Sequence, residues 1–108
     1  MKQTFNGKKI KICATQLFND KFGGLEAAMY VKIALSVLKK YPVDMLIFEM
    51  TADGFQQVRL SGYNFITNVL DEKTIAFKAK SLPTDTFWFK VDDYESYYVG
   101  TFLFPDEY

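Results

Sequence analysis

Three features of the sequence predict an α+β fold: one long helix packed in a curved, mainly antiparallel sheet of five to seven strands. A single amphipathic stretch near residues 24–41 repeats at helical spacing, the segments on either side of it alternate at strand spacing, and the later segments are joined by short turns. The expected path is a β-α-β start followed by a meander, because consecutive strands joined by short connections usually lie side by side. With 108 residues, 49% of them hydrophobic and 18% aromatic, the chain is expected to form a single globular domain over residues 1–108 with one core.

Residues 8–14 (KKIKICA) open the pattern. Ile10, Ile12 and Ala14 fall on one side of a strand and Lys9, Lys11 and Cys13 on the other, the mark of a half-buried strand. Cys13 reads as a small, partly buried apolar residue. Asn19, Asp20, Gly23 and Gly24 interrupt the alternation and offer caps for a helix. Over residues 24–41 the polar positions Glu26, Lys32, Ser36, Lys39 and Lys40 are confined to an arc of about 140°. The wide apolar remainder, Leu35 included, suits a helix held in the concave face of a sheet. Pro42 ends the helix, after Lys39 and Lys40 have placed positive charge at its negative end.

Beyond Pro42 every segment reads as strand. Residues 44–51 are apolar on both parities, with Leu46, Phe48 and Met50 opposite Met45 and Ile47, as in a central strand or one with a face awaiting a partner. Ala52-Asp53-Gly54 has the chemistry of a tight hairpin turn. Residues 55–70 are too long for one regular strand, so a bulge or bend is expected at Ser61-Gly62. A turn at Leu70-Asp71-Glu72-Lys73 leads to a strand at 74–80, with a helix over 71–82 as the competing reading. Pro83 marks a turn within 81–85, and Phe87-Trp88-Phe89 and residues 97–104 are the last strands. The predicted core contains Leu46, Phe48, Ile75, Phe77, Phe87, Phe89, Val99 and Phe102. Tyr98 is expected to point inward, on parity with Gly100 and Phe102.

The net charge of zero conceals a gradient. Residues 1–43 carry eight lysines and two acids, residues 44–81 four bases and five acids, and residues 82–108 one lysine and six acids: +6, −1 and −5. Such a gradient either marks two faces or cancels in space when the chain ends meet; cancellation is the simpler expectation.

The residue inventory excludes much chemistry. With no histidine and one cysteine, the chain has no Ser-His-Asp or Cys-His set, no internal disulfide and no multi-cysteine zinc site. No apolar run approaches the roughly 20 residues that cross a bilayer, and no apolar segment follows the first charges as a secretory leader requires. A cytoplasmic protein with no membrane contact is the expectation. Gly23-Gly24 lacks the neighbours of a phosphate loop. Nucleic acid is disfavoured, because the charge is balanced and Arg59 is the one side chain suited to a bidentate guanine contact.

The densest group of functional side chains is DDYESYY, residues 92–98. On a strand, Asp93 and Glu95 would share a face with Cα atoms about 6.6–7 Å apart, a spacing comparable to glycosidase pairs. Such pairs line a deep groove that a chain this short can scarcely build, and a calcium loop would need alternating ligands and a central glycine. Two structural readings remain, a hairpin tip and a helical turn with Asp92 as its N-cap and Glu95 three residues on. The functional reading is recognition, since tyrosine supplies large contact area at low entropic cost. On that reading Asp92, Asp93, Tyr94, Glu95 and Tyr97 bind a protein partner with a basic surface.

The expected function is therefore that of a small non-enzymatic interaction protein, an adaptor or inhibitor of the kind phages and mobile elements encode, with no cofactor and no metal. The alternative is a module for a small ligand or single-stranded nucleic acid, using a pocket between helix and sheet lined by Tyr30, Tyr41 or Trp88. The two apolar faces at Met45 and Ile47 also permit a homodimer.

Overall fold

In a computed structural model that describes residues 4–50, 56–77 and 86–108, seven strands form one sheet and two helices lie over one of its faces. The chain starts with a hairpin: β1 (Thr4–Phe5) pairs antiparallel with β2 (Lys8–Ala14). Asn6 and Gly7 connect them at φ 50° and 77°, the two positive angles that a tight two-residue turn demands. This Asn-Gly signal is present in the sequence and was not among the expected turns.

A short helix that the alternation does not announce follows: α1 (Gln16–Lys21). Thr15 caps it, its Oγ1 accepting from the Phe18 backbone N–H at 3.2 Å, so Asn19 and Asp20 lie inside a helix and do not break the chain there. The helix drives Phe18 and Phe22 into the core, where Phe18 stacks on Phe102 with ring centres 5.0 Å apart.

The long helix α2 (Gly24–Lys40) ends one residue earlier than expected, with Tyr41 as its cap and Pro42 beyond. Tyr30, Ala34, Val37 and Leu38 are buried, one stripe at i, i+4, i+7 and i+8. Glu26, Lys32, Ser36, Lys39 and Lys40 are all exposed. Ala27, Met29, Val31, Ile33 and Leu35 pack half-buried along the flanks, which is how a curled sheet uses so wide an apolar surface. Leu35 therefore lies at the edge of the core and not within it.

From α2 the chain enters β3 (Met45–Met50), an interior strand, with β6 (Phe87–Asp93) on one side and β4 (Gln56–Tyr63) on the other. The strand order is β1-β2-β7-β6-β3-β4-β5, where β5 is Leu70–Phe77 and β7 is Tyr97–Leu103. Only β3-β4-β5 follow one another as a meander. The helices carry the chain across the sheet from β2 to β3 and leave a gap two strands wide, which β6 and β7 later fill. Because β7 runs parallel to β2, the sheet is mixed.

The second hairpin turns earlier than expected. Asn64 accepts at Oδ1 from the backbone N–H groups of Ile66 (2.8 Å) and Thr67 (3.0 Å), and Asn68 adopts φ 60°. Two asparagines thus make the turn, and Asp71, Glu72 and Lys73 pair inside β5 with Gly62, Ser61 and Leu60. This corrects both the turn expected at 70–73 and the competing helix as far as residue 77. The irregularity expected at Ser61-Gly62 is confined to the β3 side: pairing with β5 runs unbroken through both residues. The register with β3 shifts by one residue between the Leu46–Leu60 pair and the Val43–Asn64 bridge, where a Cβ on Gly62 would lie 1.7 Å from Asp44 Oδ1.

Leu46, Phe48, Phe87, Phe89, Phe102 and Tyr98 are buried as expected. Val99 is not: Tyr98, Gly100 and Phe102 hold the inner parity, so Val99 is half-buried on the opposite face. The turns expected at 52–54 and 81–85, the end of the strand at 78–80, and the burial of Ile75 and Phe77 lie outside what is described.

Candidate interaction surface

β6 ends at Asp93 and β7 begins at Tyr97, so residues 92–98 form a hairpin end. Tyr94 N–H donates to the Tyr97 carbonyl at 2.9 Å, Glu95 N–H donates to Asp93 Oδ1 at 3.1 Å, and Glu95 takes φ 58°. A left-handed residue breaks strand alternation. Asp93 and Glu95 therefore do not form the shared-face pair that strand spacing would give, and Asp92 is a strand residue and no helix cap.

The charge gradient cancels here. Parallel pairing of β2 with β7 lays the basic strand beside the acidic hairpin, with Lys9 opposite Tyr97 and Lys11 opposite Val99. Lys8 Nζ lies 2.5 Å from Asp93 Oδ1 and donates to the Glu95 carbonyl at 2.8 Å. This hydrogen bond from Lys8 holds the Asp93 carboxyl below the usual carboxylate range. Lys90 lies 3.4 Å from Asp44 and 4.0 Å from Asp92.

The tyrosines divide by parity. Tyr98 is buried, donated to at Oη by Asn6 Nδ2 (3.0 Å), and packed between Phe5 and Phe65 with ring centres at 4.8 and 5.1 Å. Tyr97 faces outward. Its ring stacks on the exposed ring of Tyr94 at 5.6 Å, with Lys11 Nζ 4.5 Å from its centre.

Tyr97 belongs to a longer surface. The face of the sheet away from α1 and α2 carries Val99, Thr101 and Leu103 from β7, Trp88, Lys90 and Asp92 from β6, and Met45, Ile47 and Glu49 from β3. Two of these side chains, Ile47 and Leu103, are buried on it all the same, at 7% and 8% exposure. Trp88, Met45 and Val99 are partly exposed, Tyr108 lies against Trp88 at 5.5 Å, and Arg59 Nε donates to Glu49 Oε1 at 3.0 Å. That bond lowers the Glu49 pKa and occupies the one arginine. Cys13, expected to be partly buried, is exposed on this same face. Period-two alternation already separates these residues from the core; which of them become neighbours is fixed by strand order, which the sequence does not spell out.

The pocket alternative fares differently. Tyr30 is wholly buried among Phe22, Phe48 and Phe87, with ring centres 4.8 to 5.9 Å away. Trp88 is on the far face and Tyr41 at the helix end, so the three residues line no common hollow. A cleft of about 540 Å³ opens instead beside the last turns of α2, between the β1–β2 turn and the β4–β5 turn. Among the described residues no group of three or more Asp, Glu or Cys converges as a metal site, and no helix is long and apolar enough to cross a membrane. No family model, no curated protein and no solved structure matches this chain.

Proposed function

We propose that the chain is a small non-enzymatic interaction protein that takes a protein partner on the open face of its sheet, with the Tyr94–Tyr97 stack at one end of the contact. The supporting observation is the composition of that face: Trp88, Met45 and Val99, all partly exposed, lie in continuous register with the buried Ile47 and Leu103, interleaved with the Glu49–Arg59 and Lys90–Asp92 pairs. Aromatic and aliphatic anchors among satisfied polar groups are how recognition surfaces are built. Glu95 calls for a basic group on the partner near the hairpin end, while the pairing of Asp93 with Lys8 and of Asp92 with Lys90 limits long-range steering.

The test compares proteins captured from a native extract by immobilised wild type, by the double variant Tyr94→Ala/Tyr97→Ala, and by Leu25→Ser. Leu25 is 91% exposed on α2, which covers the other face of the sheet, and serves as the control. The partner, identified by mass spectrometry and then purified, is expected to bind wild type and the Leu25 variant alike and the tyrosine variant at least tenfold more weakly, a loss of about 1.4 kcal/mol. Equal binding by all three, with melting temperatures matched, removes the reading.

A further inference from the structure

The cleft beside α2 carries a second site. Its floor is Phe5, Leu38 and Pro42, its walls are Leu35 and Ile66, and its rim is Ser36, Lys39 and Lys40, with Thr4 and Asn6 at the mouth. Ile66 is 67% exposed, and the turn that bears it also exposes Val69 at 62%, Leu70 at 54% and Tyr63 at 58%. Val69, opposite the buried Asn64, lies on the helix side with Ile66, whereas Tyr63 and Leu70 pair with each other on the parity of Arg59 and belong to the open sheet face. The local geometry explains why Ile66 is held out: Asn64 is buried and ties down the turn, and Phe65 packs inward on Phe5 at 5.6 Å, so the residue that follows is presented from an anchored loop.

The charge beside the cleft has one sign. Lys39 and Lys40 stand on the rim and Lys32 is exposed two turns earlier on α2, while no carboxylate occurs among the described lining residues. On the open sheet face, by contrast, Lys90 lies near Asp44 and Asp92, and Arg59 is bonded to Glu49.

We infer that this cleft docks an acidic amphipathic segment of a partner protein: one apolar side chain enters between Leu35 and Ile66, a further apolar group covers Val69, and carboxylates meet Lys39 and Lys40. The site is separate from the open sheet face and does not depend on the reading given for it. A small anionic amphiphile could satisfy the cleft and the lysines, but it would leave Val69 uncovered beyond Ile66; two exposed apolar side chains in succession beside a cleft favour a polypeptide.

The probe is a fluorescent amphipathic peptide of about fifteen residues, leucine and phenylalanine on one face and glutamate on the other, followed by anisotropy and by amide chemical shifts of the labelled protein. Saturable binding is expected, weakening as salt rises, with shifts concentrated at Thr4–Phe5, residues 35–40 and Ile66. Lys39→Glu with Lys40→Glu should weaken it at least tenfold, Ile66→Ser several-fold, and Tyr94→Ala not at all. Lys39, Lys40 and Ile66 are exposed, so folding should survive, and a wild-type melting temperature for each variant confirms it. Equal binding of the same peptide with lysine in place of glutamate, shifts confined to the open sheet face, or dodecanoate displacing the peptide from the lysines while leaving Val69 unshifted would each overturn the inference.

Discussion

Lys8 and Asp93 stand 85 positions apart in the chain and meet at 2.5 Å, closing the N-terminal hairpin onto the β6–β7 hairpin. One pair thereby cancels part of the +6 and −5 carried by the two ends of the sequence. A stretch that looks acidic in one dimension is close to balanced in three.

The pair has a pH signature. The Lys8 hydrogen bond lowers the Asp93 pKa in the folded state, so the folded protein binds fewer protons there than the unfolded chain. The stabilisation is fully present above the unfolded carboxylate value of about 3.9 and is lost as pH falls through the lower folded value. Asp93→Asn should therefore melt below wild type at pH 7, and the two melting curves should converge in acid. A constant gap from pH 7 down to the acid limit would show that Lys8 does not set the Asp93 ionisation. Added salt should narrow the gap at pH 7, since both groups are partly exposed.

Gly100 is fixed by its neighbour on β6. A Cβ there would sit 2.2 Å from Cζ of Phe89, whose ring is fully buried and packs on Phe102 at 4.5 Å. Gly100→Ala should destabilise by about 1–3 kcal/mol, the usual cost of overpacking. In chemical denaturation, Phe89→Leu in the same chain should recover part of that loss, giving a favourable coupling energy. Additive effects of the two changes would mean that the ring is not what excludes the methyl group.

Asp44 ties three strands together at the start of β3. Its Oδ1 accepts from the Tyr63 backbone N–H at 3.1 Å, its own N–H donates to the Tyr63 carbonyl at 3.2 Å, its carbonyl accepts from Val91 N–H at 2.8 Å, and its Oδ2 faces Lys90. Asp44→Ala removes the side-chain bonds and should cost about 1–2 kcal/mol. Asp44→Asn keeps an acceptor for Tyr63 and should lose less. Gly62→Ala meets the same carboxylate from the other side and should be at least as damaging as Asp44→Ala. Hydrogen exchange at Tyr63 is the local readout: faster exchange in the Ala variant with no change in the Asn variant is the expected pattern.

How far the sequence could be read depends on the range of the interaction. Period-two and 3.6-residue patterns are local, so β2, α2, β3, β6 and β7 were legible within a few residues, as was the inward turn of Tyr98. At the β4–β5 turn two local signals compete: Asp71, Glu72 and Lys73 resemble turn residues, whereas the hydrogen bonds of Asn64 place the turn at 64–68. The order β2-β7-β6-β3 rests on long-range pairing, and no periodicity carries it. For that reason the cluster at Asp92–Tyr97 was visible as a group, its neutralisation by Lys8 was not, and neither was the meeting of Leu35, Lys39 and Ile66 around one cleft.

Tyr97 and Tyr98 separate stability from recognition at adjacent positions. Tyr98 lies on the inner face at 2% exposure, between Phe5 and Phe65, with Lys8 Nζ 4.2 Å from its ring centre and Asn6 on its hydroxyl. Tyr98→Ala should cost about 3 kcal/mol or more, as aromatic truncations in cores do, and Tyr98→Phe only about 1 kcal/mol for the lost hydrogen bond. Tyr97 is half-buried on the outer face, held by Tyr94 and Lys11 alone among the ring contacts found there. Tyr97→Ala should cost about 1 kcal/mol or less. Urea denaturation of the three variants checks the order Tyr98→Ala, then Tyr98→Phe and Tyr97→Ala together. If Tyr97→Ala proved as destabilising as Tyr98→Ala, the outer ring would be part of the structural framework, and the open face would lose its strongest candidate for a residue free to serve a partner.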